Sequence, residues 1–198
     1  RTTGVDENIV NMTYKEVRRL DAGSWYSDEY KGEKVPGLRE VLELAQGKIK
    51  LNIELKPADN GEELARKTVA LIEKYNMEND CVITSFSSSA LSAAKSCDEN
   101  IRVGYILSAA YGDYYDMKNI DFFSVNAAFL SKRTIDAIHN SGKQVYAWTV
   151  NNKDSIKNLT NKGVDGVITD NPVLARETIY SRDTSETIVN MIRYVFNQ

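Results

Sequence analysis

From residue 49 onward, short apolar runs of strand length alternate with helical patterns at a nearly constant pitch. The runs, rich in β-branched or aromatic residues, are KLNIEL, CVITSF, IRVGYIL, FFSV, QVYAWTV and GVIT. They start near residues 49, 81, 102, 122, 144 and 166, so most consecutive starts lie about 20 residues apart. This alternation predicts a parallel sheet covered by helices, because parallel neighbours are joined by crossover connections.

The segments between these runs carry the signals of helix starts and stops. Polar residues that typically accept a hydrogen bond from the first helical turn precede the apolar periodicity. Glycines, which commonly end helices, follow it. The predicted N-caps are Asn60, Ser87, Ser131 and Asn152, and the predicted stops are Gly142 and Gly163. The connection 108–119 is predicted to be a loop or a single turn.

Six strand–helix units fit two α/β architectures, an open doubly wound sheet and a (β/α)8 barrel. A barrel has eight strands and typically about 250 residues. With 198 residues, this chain is shorter by roughly two units. Both architectures remain open on periodicity alone.

The sequence also predicts how the chain is organised. Residues 1–48 contain a short helix opened by the capping box Thr13–Glu16, an aromatic, glycine-containing loop and a second helix, and they are interpreted as a small insertion. Residues 49–182 form the six units. Residues 183–198 are predicted to form an amphipathic helix of the same domain.

Composition excludes several function classes. The net charge of −3 and the absence of a basic block argue against nucleic acid as a partner. No apolar run approaches the roughly 18 residues of a membrane span, and the start has no signal-peptide pattern. Cys81 and Cys97 match no metal or redox spacing.

Ligands of parallel α/β folds gather at the carboxyl ends of the strands. This rule selects Glu54, Lys56, Ser85, Phe86, Leu107, Asn126, Trp148, Asn151 and Asp170.

Glu54 is the sharpest candidate, because a carboxylate on the inner face of a strand needs compensation. Either a hard cation such as Ca²⁺ or Mg²⁺, or an ion pair with Lys56, would provide it. Lys56 can bind a phosphate or lie in water, and Trp148 can wall a pocket or belong to the core. His139, the single histidine, is interpreted as an exposed helix-end residue, so no nucleophile–histidine arrangement can be built.

The motifs LNIELKP, VITSFSSSAL, QVYAWTVNN and GVDGVITDNP, in this order, resemble the glycerophosphodiester phosphodiesterase family. The resemblance covers essentially the whole chain. It implies a (β/α)8 barrel of the phosphodiesterase type, here missing roughly its first two βα units. It also implies Ca²⁺- or Mg²⁺-dependent hydrolysis of glycerophosphodiesters to sn-glycerol 3-phosphate and an alcohol, a reaction of lipid and glycerol metabolism.

The resemblance also implies roles for individual residues. Glu54 matches the metal-ligating glutamate, and Lys56 matches the lysine that faces the phosphate. Trp148 matches a pocket aromatic, and Phe86 is a second, weaker match of that kind. The family's HRG, E-x-D and HD segments have no counterpart in this sequence. No catalytic acid–base residue is therefore assigned, and the chain alone is expected to be inactive while its parent protein is active.

Two other functions stay open: a non-catalytic, barrel-derived binding or interaction module, and another metal-dependent barrel of the phospholipase type. A barrel without two strands is also expected to expose open edges that recruit partners.

The Tyr-rich loop and IDFFSVN resemble a subgroup whose catalytic domain follows a bacterial membrane domain. Localisation is left open between membrane-associated, extracytoplasmic and cytoplasmic.

Overall fold

The computed structural model describes residues 2–109 and 114–180. Its centre is a six-stranded sheet in which every neighbouring pair is parallel and the spatial order follows the chain order. The strands are β1 (Leu51–Leu55), β2 (Cys81–Ser85), β3 (Arg102–Leu107), β4 (Phe122–Asn126), β5 (Gln144–Trp148) and β6 (Gly166–Val167). All six predicted strands are present, although β6 is only two residues long.

The strand order decides between the two predicted architectures. A doubly wound sheet reverses its order at a switch point, whereas here β1 to β6 follow one another without reversal. The sheet is also curled, because side chains from β1 and from Ile168, directly after β6, line the same cavity although β1 and β6 are the two edge strands. The predicted barrel type is therefore confirmed, and the described residues supply six of the eight strands of a complete barrel.

Helices cover the outer face of the sheet. The short helix α1 (Tyr14–Val17) comes first in the chain, and the covering helices are α2 (Leu38–Ala45), α3 (Gly61–Lys74), α4 (Ser88–Cys97), α5 (Lys132–Asn140) and α6 (Lys153–Lys162). Residues 172–180 are also helical. The four predicted N-caps, Asn60, Ser87, Ser131 and Asn152, each accept a hydrogen bond from the backbone three residues later. Gly163 ends α6 in the left-handed conformation, with φ 95°.

The core lies between the sheet and these helices. Leu55 of β1 is buried, and Leu51 and Ile53 pack against the core on the same side. Consequently Asn52 and Glu54, which alternate with them, face the concave side of the sheet. The apolar residues of β1 thus determine where its polar residues lie.

The segment before β1 contains the predicted capping box between Thr13 and Glu16 and the predicted second helix, α2. The division into residues 1–48, 49–182 and 183–198 stays a prediction, and the expected helix at 183–198 lies outside the described residues. Among the described residues, β1 pairs only with β2. None of the described helices is long and apolar enough to cross a membrane.

Candidate active site

A cavity of about 360 Å³ opens at the carboxyl ends of the strands, a size typical of small-molecule sites. Residues from β1, the loop after it and the other strand ends form its walls. They are Asn52, Glu54, Lys56, Thr84, Phe86, Ile106, Ser124, Trp148, Thr149 and Ile168. The structure therefore brings together all four residues predicted to bind substrate or metal: Glu54, Lys56, Phe86 and Trp148.

The charged wall of the cavity comes from β1 and the residue following it. The Lys56 Nζ atom lies 3.5 Å from Glu54 Oε2, and the two side chains are 76% and 34% exposed. An ion pair this exposed contributes little stability, on the order of 1 kcal/mol or less. The ammonium group of Lys56 can therefore turn towards a bound anion at small cost.

The aromatic wall comes from β5 and from the end of β2. The Trp148 indole N–H donates a 2.9 Å hydrogen bond to the backbone carbonyl of Ser124. The Phe86 ring meets the indole edge to face, with centroids 6.3 Å apart and planes at 87°. These contacts fix the indole, and the two perpendicular rings form a corner that can accept the apolar part of a ligand.

The other candidates at strand ends have structural partners. The Ser85 hydroxyl donates to the Leu55 carbonyl, and Asn126 caps the turn that follows β4. The Asn151 amide donates to Asp170 at 2.7 Å and joins the loops after β5 and β6. Leu107 packs against the core. None of these residues is among those that line the cavity.

His139 lies at the opposite end of the sheet, because α5 ends where the chain turns into β5. Its Nε2 atom is 2.9 Å from Asp165 Oδ2, which also accepts the backbone N–H of Val145. The imidazole is partly exposed, at 37%. This contact joins two connections at the amino ends of the strands, and the histidine takes no part in the cavity.

Glu54 can bind a cation only together with groups from elsewhere. Ca²⁺ takes six or more oxygen ligands, and Mg²⁺ takes six with several of them water. Within residues 2–109 and 114–180, no group of three or more His, Cys, Asp or Glu side chains could hold a metal ion. The single carboxylate fits one ligand position of such a site.

Several residues that line the cavity are not predicted as site residues from the sequence, most notably Asn52 and Thr84. The Thr84 hydroxyl donates a 2.9 Å hydrogen bond to the amide oxygen of Asn52. The alternation of β1 already places Asn52 on the face of Glu54. Its pairing with Thr84 depends on the register between β1 and β2, which the sequence does not give.

The comparisons with known proteins agree on one family. A model of the glycerophosphoryl diester phosphodiesterase family matches residues 1–174. A glycerophosphodiester phosphodiesterase of Caldanaerobacter subterraneus subsp. tengcongensis is 27% identical over 203 residues, covering 98% of this chain and 76% of the relative. Another, from Bacillus altitudinis, is 27% identical over 180 residues, covering 87% of this chain and 74% of that protein.

The fold comparison leads to the same family. An Oleispira antarctica phosphodiesterase, solved in complex with the product sn-glycerol 3-phosphate, has a TM-score of 0.79 and 30% identity to this chain. The match covers 90% of this chain and 75% of that one. With a family match that spans most of its length, the chain belongs to the glycerophosphoryl diester phosphodiesterase family.

Proposed function

We propose that these residues form one side of the active site of a metal-dependent enzyme that hydrolyses glycerophosphodiesters to sn-glycerol 3-phosphate and an alcohol. The observation that carries the proposal is the convergence of Glu54, Lys56, Phe86 and Trp148 on one cavity in a chain of this family. The Oleispira relative, which binds sn-glycerol 3-phosphate, supports the same substrate class.

Each of these side chains has a role that follows from its chemistry. The Lys56 ammonium group attracts the phosphate as a mobile point charge. The Glu54 carboxylate would hold Ca²⁺ or Mg²⁺ together with ligands that the described residues do not provide. When bound, such a cation neutralises the charge of the phosphodiester. The corner between Phe86 and Trp148 holds the carbon skeleton of the substrate.

The chain by itself is proposed to lack turnover. General acid–base catalysis needs a group within hydrogen-bond reach of the proton that it moves. The single histidine of the sequence, His139, lies at the amino ends of the strands and bonds to Asp165. The residues that line the cavity include no histidine, and its two charged side chains, Glu54 and Lys56, are assigned here to the cation and to the phosphate.

The test is an assay of the purified 198-residue chain with glycerophosphocholine and either Ca²⁺ or Mg²⁺. We expect no release of glycerol 3-phosphate, whereas the complete protein encoded by the same gene releases it. Metal-dependent release by the purified chain alone would contradict the proposed inactivity.

Binding can be measured without turnover. Calorimetric titration with sn-glycerol 3-phosphate should show that Lys56→Met weakens the affinity about tenfold, since a charged hydrogen bond is lost. Lys50→Met is the matched control, because Lys50 is exposed just before the amino end of the same strand. If both variants bind as the wild type does, Lys56 has no role in phosphate binding.

One observation favours a second candidate, a non-catalytic binding module: the only histidine lies away from the cavity. The complete protein distinguishes the two functions. An enzyme releases product, whereas a binding module retains the ligand and releases nothing under the same metal conditions.

Association through the sheet edge is a separate proposal. Because β1 pairs only with β2 among the described residues, its outer edge presents backbone N–H and C=O groups to a partner strand. Sedimentation at increasing concentration should show a rising mass if this edge recruits a second copy. A constant monomer mass would exclude self-association.

A further inference from the structure

We propose that Asn52 binds a hydroxyl group of the substrate's glyceryl moiety and that Thr84 is the positioning residue that orients it. The proposal rests on the proposed function, since it names what the deep part of the same cavity recognises. Both residues line the cavity, and neither belongs to the charged pair of Glu54 and Lys56.

The orientation of the Asn52 amide follows from its one hydrogen bond. Thr84 is only 2% exposed, and its hydroxyl donates to Asn52 Oδ1 at 2.9 Å. The amide oxygen is thus engaged, and the amide NH₂ group points away from Thr84. Among the described residues, no protein acceptor receives a hydrogen bond from this NH₂ group, although Asn52 is exposed to the cavity. The cavity therefore contains two fixed N–H donors.

The depth of Asn52 determines what these donors meet. Residues that alternate on one face of a strand lie about 6.6 Å apart along it. Asn52 is therefore roughly 7 Å deeper than Glu54, whereas Lys56 lies beyond the strand, at the opening. If Lys56 holds the phosphate, the far end of the glyceryl group is the part of the ligand that can reach Asn52. That end carries hydroxyl oxygens, which accept hydrogen bonds.

Part of the cavity wall is apolar. Ile106 and Ile168 also line the cavity and provide no hydrogen-bonding group in their side chains. A ligand without hydroxyls would leave the Asn52 donors without a partner in a partly desolvated space. Sites built to bond a ligand hydroxyl discriminate strongly against the analogue that lacks it. Asn52 is therefore expected to contribute selectivity and not general phosphate affinity.

The experiment compares sn-glycerol 3-phosphate with n-propyl phosphate, which has the same carbon chain and phosphate but no free hydroxyls. Their dissociation constants are measured by calorimetric titration of the purified chain. The wild type should bind glycerol 3-phosphate about tenfold more tightly, as expected for one well-oriented hydrogen bond. Asn52→Leu should abolish most of this preference and leave propyl phosphate affinity within about threefold of the wild type.

Thr84 is tested by a conservative pair of variants. Thr84→Val removes the hydroxyl at nearly constant volume and should reduce the preference several-fold, whereas Thr84→Ser retains the hydroxyl and should restore it. A merely structural role would change the affinity for both phosphates in parallel and leave their ratio intact. Circular dichroism and thermal melting test whether each variant is folded. If Asn52→Leu is not folded, Asn52→Ala replaces it in the binding measurement.

Gln144→Leu is the matched control, since it removes another amide from the sheet at the amino end of β5, where Gln144 bonds to Arg102. It should leave the preference unchanged. If the wild type binds both phosphates equally, or Asn52→Leu keeps the wild-type preference, the inference is overturned while the proposed function stands. If the wild type binds neither phosphate, the proposed role of this cavity fails together with the inference.

Discussion

The indole N–H of Trp148 donates a hydrogen bond of 2.9 Å to the backbone carbonyl of Ser124 on the neighbouring strand β4. This bond holds the aromatic wall at a fixed angle to Phe86. Trp148→Phe removes the donor and leaves the partly buried carbonyl without its partner. We expect about fivefold weaker binding of sn-glycerol 3-phosphate and a loss of about 1 kcal/mol in the free energy of unfolding. Calorimetry and urea denaturation measure the two effects.

Trp25→Phe provides the control for this prediction. The Trp25 indole N–H also donates a 2.9 Å bond to a backbone carbonyl, that of Ala22, but in an exposed loop away from the residues that line the cavity. Its loss should not change the affinity for glycerol 3-phosphate. Equal affinity of the wild type and both variants for glycerol 3-phosphate would show that the Trp148 indole N–H takes no part in binding.

Any side chain at Gly104 is predicted to destabilise the fold, because an aromatic ring lies directly over this residue. A Cβ atom added at Gly104 would lie 2.1 Å from the ring of Phe122, which is fully buried and packs on Tyr146 with centroids 4.7 Å apart. Gly104→Ala should therefore lower the free energy of unfolding by about 1–3 kcal/mol, the usual cost of overpacking. Urea denaturation measures this change.

A second substitution tests the steric cause. Phe122→Leu shortens the facing side chain, so the double variant should be less destabilised than the sum of the two single variants. Simple additivity would show that the effect of Gly104→Ala comes from the backbone and not from the ring.

The loop around Asp21 should show acid-dependent stability. Hydrogen bonds from the Ser24 backbone and hydroxyl, and from the backbone N–H groups of Gly23 and Gly32, hold the pKa of Asp21 far below its usual range. A carboxyl whose folded pKa is depressed stabilises the fold above its unfolded pKa, about 3.9. This stabilisation disappears as the pH falls from there towards the folded pKa.

Asp21→Asn therefore should melt at a lower temperature than the wild type at pH 7, and the difference should narrow as the pH falls below about 4. Melting curves between pH 2 and pH 7 measure it. Asp28→Asn is the control, because the Asp28 carboxylate lies in the same loop and accepts none of these hydrogen bonds. A gap that widens towards low pH would contradict the assigned sign.

The two cysteines should react with thiol reagents at very different rates. Burial raises the pKa of Cys81 to about 11, and its side chain is 2% exposed, whereas Cys97 is exposed. Since the thiolate is the reacting form, a chromogenic disulfide should label one thiol per native chain at pH 8 and two in urea. Cys97→Ser should leave no fast phase; two fast thiols in the native chain would argue against the burial of Cys81.

Much of the fold follows from local patterns that survive into the structure. Period-two alternation in Leu51–Leu55 and side-chain caps such as Asn60 act within a few residues, so the sequence reveals them. The helix at 172–180 is not among the separately predicted elements, although the sequence contains its start signal. Asn171 caps the backbone of Leu174, and Pro172 occupies the first helical position.

The residues of the site are harder to predict from the sequence than the fold is. Period two and the rule of strand ends predict that Glu54 and Lys56 lie together, and the cavity contains both. The contact of Thr84 with Asn52, and the place of Ile168 in the wall, depend on register and curvature across strands far apart in the chain. Such relationships are set by tertiary packing, which no local pattern records.

The uninterrupted strand order has a consequence for folding. Among the described strands, two strands pair only when they are consecutive in the chain. Every pairing therefore closes a loop of similar, short length. Such a chain has low contact order for a parallel sheet, which favours faster folding. We expect a βα module added at one end of the sheet to meet the same kind of interface as those already in place.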